Sequence, residues 1–582
     1  MFSRVFPSAA AILSILVLVG CHGLVPLPPG QFQVSVATDG SGSGTVTSNP
    51  SGISCPGTCT ANFQNSASVT LTATPSTGFT FSGWSGACTG ANAACTIAAG
   101  ASGSATATFG ASLQSVNHII FLAQENRSFD SYFGALRAYW AANGIPDQPL
   151  DGLAQFNPPA NPALAPTNPG CNPATSSPLV CHADPATGDV GPPVTSFHFN
   201  TMCVENPSPS WNESHADWNA SDPVAPPPPT LDGFVRAAAN DARQIVPPFN
   251  DVNGLRAMGF YDGGDLNYYY FMASTFSTSD SWFAPVMTRT QPNREYLIGA
   301  TSHGYVYPIG SNANDMALIP TAPIFQELQQ AGITWKIYVN PKGTSCQSNP
   351  TSQCLFQFSY VKNFTYGQTI LNQFPQNIVP ISQFATDAQN GTLPQVAQIE
   401  PASNAGLDEH PADVDGTPAC CSVQAGAQYA SGMINAVING PSWQDSVFIF
   451  TFDESGGFYD HAAPQPAVSP DGIPPVDLFA GDTCTGAVGL NCDFVFTGYR
   501  VPMMVISPFS KKNFVSHAIA DNTAILKLIE KRFGLQPLSN RDAAQIDMDT
   551  EFLDFTNAPW KTPPSNVPNQ NSGGQCYLDH LP

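Results

Sequence analysis

The sequence predicts an α/β domain built on a central, mostly parallel sheet and preceded by a small all-β module. Three observations carry this reading. From Phe32 to about Phe109 the chain is rich in Ser, Thr, Gly and Ala, nearly uncharged, and written in short alternating runs. From Leu113 onward, apolar strand-like runs alternate with helical segments, the pattern of a parallel sheet covered by helices. The 582 residues include 37 phenylalanines, core enough for one large domain beside a small one, while 55 prolines and 48 glycines predict long irregular connections.

Charge narrows the function class. The chain has 42 acidic against 19 basic residues and a net charge of −23, with no basic stripe, which excludes nucleic acid as a partner. Any phosphate site must therefore be built locally, because the overall field repels anions.

The first 21 residues read as a leader. Arg4 precedes an apolar segment, Ala9 to Val19, too short to span a bilayer and laid out as a secretory signal. Its end, Leu18-Val19-Gly20-Cys21, resembles a bacterial lipoprotein cleavage box. That resemblance implies a lipid on Cys21, and so an exported protein, either membrane-anchored or extracellular; an ordinary signal cut nearby is the alternative. The remaining cysteines agree with export. Short-range pairs stand at Cys55/Cys59, Cys88/Cys95, Cys171/Cys181, Cys346/Cys354 and Cys484/Cys492, and such spacing favours disulfides over metal clusters. The partners of Cys203, Cys420, Cys421 and Cys576 stay open.

Residues 22–30 form a Pro/Gly tether, and 31–110 form the all-β module. Runs such as Phe32–Val36 and Val69–Ala73 predict antiparallel strands. The stretch Gly78–Gly86, followed by Cys88 and Cys95, resembles the small repeat modules of bacterial surface proteins, and no catalytic set accompanies it. A spacer or adhesive role follows. Residues 113–560 form the main domain and 561–582 a Pro/Asn/Gly-rich tail tied down by Cys576.

The main domain opens on a buried strand, His118–Leu122, that runs into Gln124, Glu125, Asn126, Arg127, Ser128 and Asp130. In open α/β sheets, functional groups gather at the carboxyl ends of strands. A carboxylate beside a carboxamide there offers hard oxygen ligands to a metal ion. Residues 144–230 lack periodicity and are predicted to be mostly loop, although Trp211–Trp218 is a dense polar and aromatic patch holding His215. Further strands are predicted at Ile333–Val339, Val396–Ile399, Ser446–Phe452 and Val501–Ser507. Helices are predicted at Ala322–Ala331 and at Asn522–Phe533, the latter capped by Asp521 or Asn522 and stopped by Gly534.

Two more stretches carry chemistry. In Phe283–Gly304, Thr290 precedes Pro292, Asn293 and Arg294, so it is placed as the N-cap of a helix whose free N–H groups suit a phosphate. Arg294 supplies a cation for phosphate oxygens. The strand Ser446–Phe452 runs into Asp453 and Glu454 and then two glycines, repeating the logic of the first strand end. Together, Glu125, Asn126, Asp453 and Glu454 would make an oxygen-rich metal site.

The motifs ENRSFDSYFG, TQPNREY, EHP, DESGGFYDH and GYRVP, in that order, resemble the bacterial phosphoesterase family of phospholipases C and certain acid phosphatases. The resemblance spans roughly 115–555 and implies an alkaline-phosphatase-like sandwich. It implies one divalent metal ion held by Glu125, Asn126, Asp453 and Glu454, with Thr290 as the nucleophile that forms a phospho-enzyme. It places His410, and less directly His215, at active-site positions; His461 and Arg294 are carried as substrate-binding candidates. The substrate is then a phosphate ester or phospholipid, with membrane contact through the lipid on Cys21. The competing reading is a catalytically inactive surface-binding protein that works through the β module.

Overall fold

The structure is a computed structural model that describes residues 27–172, 181, 189–311, 317–413, 422–485, 492–579 and 581. The leader, Cys21, Cys420 and Cys421 lie outside the described residues. The chain divides into two compact units after Gly110.

The first unit is a sandwich of two four-stranded sheets. One orders Thr60–Gln64, Gln31–Asp39, Gly103–Gly110 and Thr80–Gly86; the other orders Ser54–Cys55, Gly44–Asn49, Val69–Pro75 and Ala94–Ile97. Alternate residues turn inward, so Phe32, Val34, Val46, Val69, Leu71, Trp84 and Phe109 fill the gap between the sheets. One pairing departs from the all-antiparallel expectation: Gln31–Asp39 runs parallel to Gly103–Gly110. These are the first and last strands of the unit, so no hairpin constrains their direction.

The second unit is organised by an eight-stranded sheet. Its strands in chain order are β1 (His118–Gln124), β2 (Ser277–Ser279), β3 (Trp335–Val339), β4 (Ile378–Pro380), β5 (Val396–Ile399), β6 (Ser446–Phe452), β7 (Met503–Ile506) and β8 (Phe514–Ser516). The spatial order is β4–β3–β5–β1–β6–β7–β2–β8. Every pairing is parallel except the two made by β7. The expected central, mostly parallel sheet is therefore present. β1 and β6 sit in the middle, buried nearly end to end, which is why both read as unbroken apolar runs. Two helical groups flank the sheet. Asn267–Thr275, Ser382–Asn390 and Val423–Ile438 make one; Thr290–Gly299, Ile324–Gln330 and Ala524–Phe533 make the other.

Several local expectations need correction. The patch Trp211–Trp218 inside the proline-rich insertion is a helix, and Thr167–Cys171 pairs with Val190–Thr195 as a short ladder. Neither Asp521 nor Asn522 caps the helix Ala524–Phe533. Its N-cap is Thr523, without a side-chain cap bond, because Asp521 is ion-paired with Arg541 and Asn522 reaches the Phe452 carbonyl and the Trp282 indole. Gly534 does close that helix, in the left-handed conformation.

All five short-range cysteine pairs form disulfides, and Cys203 joins Cys576. The tail is held by more than that link: Gln570 donates to the Asp265 carbonyl, and Thr201 donates to the Tyr577 carbonyl. Among the described residues, no helix is long and apolar enough to cross a membrane.

The register of the two central strands decides where the chemistry falls. Parallel pairing sets Phe452 opposite Gln124, so the next residues of each strand, Asp453 and Glu125, emerge side by side. The turns that follow cross closely. Gly456 has φ +71°, and a Cβ there would lie 2.4 Å from the Asn126 carbonyl oxygen. Gly456→Ala is therefore expected to cost on the order of 1–3 kcal/mol. Chemical denaturation of the variant against the parent measures it.

Candidate functional site

Four segments converge at the carboxyl ends of β1, β5 and β6. The turn after β1 supplies Glu125 and Asn126, and the turn after β6 supplies Asp453 and Glu454. The helix Thr290–Gly299 supplies Thr290 and Arg294, and the loop after β5 supplies His410. The turns are stitched by backbone bonds: Glu125 N–H donates to the Asp408 carbonyl, Asp453 N–H to Gln124, and Arg127 N–H to Glu454. Asn126 adopts a left-handed φ of 67°, a conformation that asparagine tolerates better than most residues. That twist turns its amide toward Thr290, whose hydroxyl donates to Asn126 Oδ1 at 3.3 Å.

Thr290 is not the helix cap that its spacing predicted. It is the first helical residue; Arg289 occupies the cap position, and no side chain closes the end. The threonine hydroxyl is consequently released from the helix backbone and directed at the strand-end turn.

Arg294 was expected to face substrate, but it lies fully buried beneath the acidic set. Its guanidinium donates to the carbonyls of Ala123 and Gln124 and forms ion pairs with Asp453 (3.3 Å) and Glu125 (3.4 Å). This single cation faces three buried carboxylates. Burial pushes the Glu125 carboxyl well above the carboxylate range, assisted by Asp408 and opposed by Arg294. Burial and the neighbouring Asp453 do the same to Glu454, and burial raises Asp453 itself against the pull of Arg294. Glu454 Oε1 is buried with no hydrogen-bond partner. An orphaned carboxylate oxygen in an oxygen-only donor set with surplus negative charge fits a hard divalent cation.

The tightest clusters of metal-type ligands among the described residues lie elsewhere, at Asp130–Asp460–His461 and His198–Asp262–Asp265. The first is an ion-pair network. His461 Nδ1 meets Asp130 at 2.7 Å and Nε2 meets Asp151 at 3.1 Å, while Arg500 bridges Asp130 and Asp460. Burial disfavours the histidine charge, but Asp130 and the hydrogen bond to Asp151 outweigh it and lift His461 to about 10. A ring protonated on both nitrogens has no lone pair for a metal. His461 therefore clasps the turn after β6 to the helix Phe129–Phe133 instead of facing substrate.

The two remaining histidines differ sharply. His410 lines a cavity of about 440 Å³ together with Asn126, Arg289, Thr290, Tyr360, Lys362 and Ser403. Its Nδ1 donates to the Pro411 carbonyl at 2.5 Å, which leaves Nε2 available. His215 is fully buried, its Nδ1 bonded to the Trp211 carbonyl and its ring packed on Trp211, and it does not line that cavity. The neighbour of His410, Glu409, anchors the loop from below. It has a left-handed φ of 73° and accepts hydrogen bonds from Tyr132 (2.6 Å), Tyr269 (2.5 Å) and Gln124. Burial raises it to about 7 against those donors.

Sequence reading missed Arg289, Lys362, Tyr360 and Ser403. The Tyr360 hydroxyl (3.5 Å) and Ser403 hydroxyl (3.3 Å) both reach Glu125. Only Arg289 carried a signal, as the residue directly before Thr290.

Comparison with known proteins adds the family. Residues 116–536 match the Phosphoesterase family model, and residues 34–112 match the Divergent InlB B-repeat domain. Phospholipase C B of Mycobacterium tuberculosis is 30% identical over 470 residues, covering 76% of this chain and 78% of that protein. The non-hemolytic phospholipase C of Burkholderia pseudomallei is 28% identical over 72% of this chain and 55% of its own. Non-specific phospholipase C4 of Arabidopsis thaliana is 27% identical over 69% and 63% respectively. Among solved structures, similarity extends to an alkaline-phosphatase-superfamily protein of Vibrio parahaemolyticus (13% identity, 49% of this chain, 66% of that one, TM-score 0.28). Murine ectonucleotide pyrophosphatase / phosphodiesterase 5 is comparable (13%, 47% and 90%, TM-score 0.29). Overlaps this small carry no functional argument. The family match defines an enzyme class, the hydrolases of phosphoric esters. This chain belongs to the phosphoesterase family.

The His461 clasp has a pH signature. Its raised pKa means the stabilisation is fully present below the free value of 6.5 and is lost as pH rises through about 10. The partner Asp130 is held below its free value of 3.8 by His461 and Arg500 against burial, so its share is lost only in stronger acid. Thermal melts from pH 5 to 10 should show stability falling above 6.5, and His461→Gln should flatten that limb. An unchanged alkaline decline in the variant would clear His461 of the role.

Proposed function

We propose that the chain hydrolyses phosphate esters, in the manner of a phospholipase C or acid phosphatase, with Thr290 as nucleophile and one divalent metal ion as cofactor. The observation that carries this reading is the parallel register of β1 and β6. It sets Glu125 and Asn126 beside Asp453 and Glu454, with the Thr290 hydroxyl hydrogen-bonded to Asn126. Those four side chains are the proposed ligands. The ion, when bound, supplies Lewis acidity that lowers the pKa of a nearby hydroxyl and neutralises phosphoryl charge.

The remaining steps belong to the chain. Thr290 Oγ1, aimed by Asn126, gives its proton to water in the cavity and attacks phosphorus, forming a phospho-threonine as the bond to the ester oxygen breaks. The leaving alkoxide takes a proton from Nε2 of His410, which shares the cavity with Thr290. Water then attacks the phospho-threonine, His410, now a base, accepts its proton, and Thr290 Oγ1 leaves phosphorus and recovers its own proton from solvent. Free N–H groups at the start of the helix Thr290–Gly299 stabilise the phosphoryl oxygens. Arg294 serves as the counter-ion that keeps the acidic set assembled. His215 is left out of the proton transfers, since its ring is enclosed away from the cavity.

The relatives named phospholipase C support phospholipids as one substrate class. A lipid on Cys21 and export remain proposals drawn from the leader sequence, and they would hold the enzyme at a membrane surface where such substrates lie.

Thr290→Ala should lower kcat on p-nitrophenyl phosphate or p-nitrophenylphosphorylcholine by at least about 10³-fold. Its melting temperature should stay near that of the parent. Chelator should abolish turnover of the parent, and Glu454→Gln should demand more metal for half-maximal rate. Chelator-resistant turnover, or near-normal rates in Thr290→Ala, would remove the metal or the nucleophile from the mechanism.

A further inference from the structure

The cavity beside Thr290 carries a charge arrangement that the hydrolytic reading does not explain. Arg289 lines it, half-buried, and its guanidinium makes no hydrogen bond or ion pair among the described residues. By contrast Arg127, Arg256, Arg294, Arg500 and Arg541 are all bonded within the protein. A half-buried guanidinium with no protein partner among the described residues keeps its donors open to an anion that enters the cavity. Its charge is felt by Glu213, Tyr307 and Glu454, none of which forms an ion pair or hydrogen bond with it.

A second cation enters the same cavity from a different segment, the turn Tyr360–Asn363. Lys362 Nζ makes one hydrogen bond, to the Gln357 carbonyl at 2.7 Å, which leaves two of its three N–H groups open. Burial lowers its pKa against the pull of Glu400, with which it forms no ion pair among the described residues. In a chain with 19 basic against 42 acidic residues, two open cations on one cavity are a local construction.

Among the described residues, the walls also lack what a quaternary ammonium requires. The aromatic residues lining the cavity are Phe358 and Tyr360, and the Arg294 guanidinium already covers the Tyr360 ring at 5.4 Å. One free ring does not make a cage. The lining carboxylate, Asp413, is mostly exposed and accepts a hydrogen bond from Asn206.

We propose that Arg289 and Lys362 form an anion-recognition pair that makes this site select phosphate esters with a doubly charged phosphoryl group over esters bearing a choline headgroup. The proposal rests on the phosphoesterase reading above, and the pair acts on substrate selection. In the ordinary course of binding, the two cations hold the non-bridging oxygens of a phosphomonoester dianion, which a zwitterionic phosphorylcholine ester matches poorly.

The test compares kcat/KM for p-nitrophenyl phosphate, bis(p-nitrophenyl) phosphate and p-nitrophenylphosphorylcholine on the metal-loaded full chain. The parent should prefer the dianionic monoester over the choline ester by at least tenfold. Arg289→Gln and Lys362→Met should each lower kcat/KM for the monoester about tenfold to hundredfold, the worth of one charge-assisted hydrogen bond, mainly through KM. Either change should leave the choline ester within about threefold, and Arg289→Lys should restore much of the loss. A parent that prefers the choline ester, or variants that lose all three substrates equally, would overturn the proposal. Calorimetric binding of orthophosphate separates it from the reaction itself. Weakened phosphate binding in both variants supports the pair even if no ester is turned over, an outcome that would sink only the hydrolytic reading. Unchanged phosphate affinity in both variants would sink the pair whatever the rates.

Discussion

The constraint on which the second unit depends is the burial of three carboxylates, Glu125, Asp453 and Glu454, against one guanidinium. Parallel pairing of β1 and β6 forces them together, and among the described residues Arg294 is the only buried cation in direct contact with any of them. A site of that charge is unstable by itself, since each buried charge without a partner raises its own pKa. The proposed divalent cation would balance it, and the nearby arginine is spent on the carboxylates themselves. The nucleophile candidate is placed by the same economy: Asn126 twists into a left-handed conformation and takes the hydroxyl that would otherwise cap a helix.

A second layer of ionic contacts holds the turns in place. Arg500 joins Asp130 from the first turn to Asp460 from the second, and its guanidinium lies over the Phe129 ring. Glu409 does the equivalent work for the His410 loop by collecting two tyrosine hydroxyls and one amide. The motif residues that carry no chemistry of their own are therefore the ones that lock three loops into one geometry. Such locked loops suit a site whose reacting groups must be aligned within a fraction of an ångström.

Much of this was legible in the chain. The unbroken apolar runs at 118–124 and 446–452 marked central strands, and the polar residues directly after them marked the site. The five short-range disulfides followed from spacing, and Gly534 announced a helix end. What misled were residues with two plausible partners. Thr290 and Asn522 both looked like caps, yet each bonds a strand end distant in sequence. Arg294 looked like a phosphate ligand because a solitary arginine near a threonine has no visible competitor until the carboxylates arrive from elsewhere. His410 stood ahead of His215 and His461 through its neighbours Glu409 and Pro411, but nothing in the chain showed that the other two are held by partners of their own.

By itself, then, the sequence determined the α/β class, the two central strands, the acidic and hydroxyl residues proposed for the site, and the family resemblance that links them. These are local properties, set by hydrophobic period and by which polar groups follow a buried strand. The tertiary structure alone decided which cation serves the acidic set, which histidine faces the cavity, and that Arg289 and Lys362 stand open within it. Those outcomes depend on distances between segments hundreds of residues apart. A charge takes its role from what is buried beside it, and that neighbour is written nowhere near it in the chain.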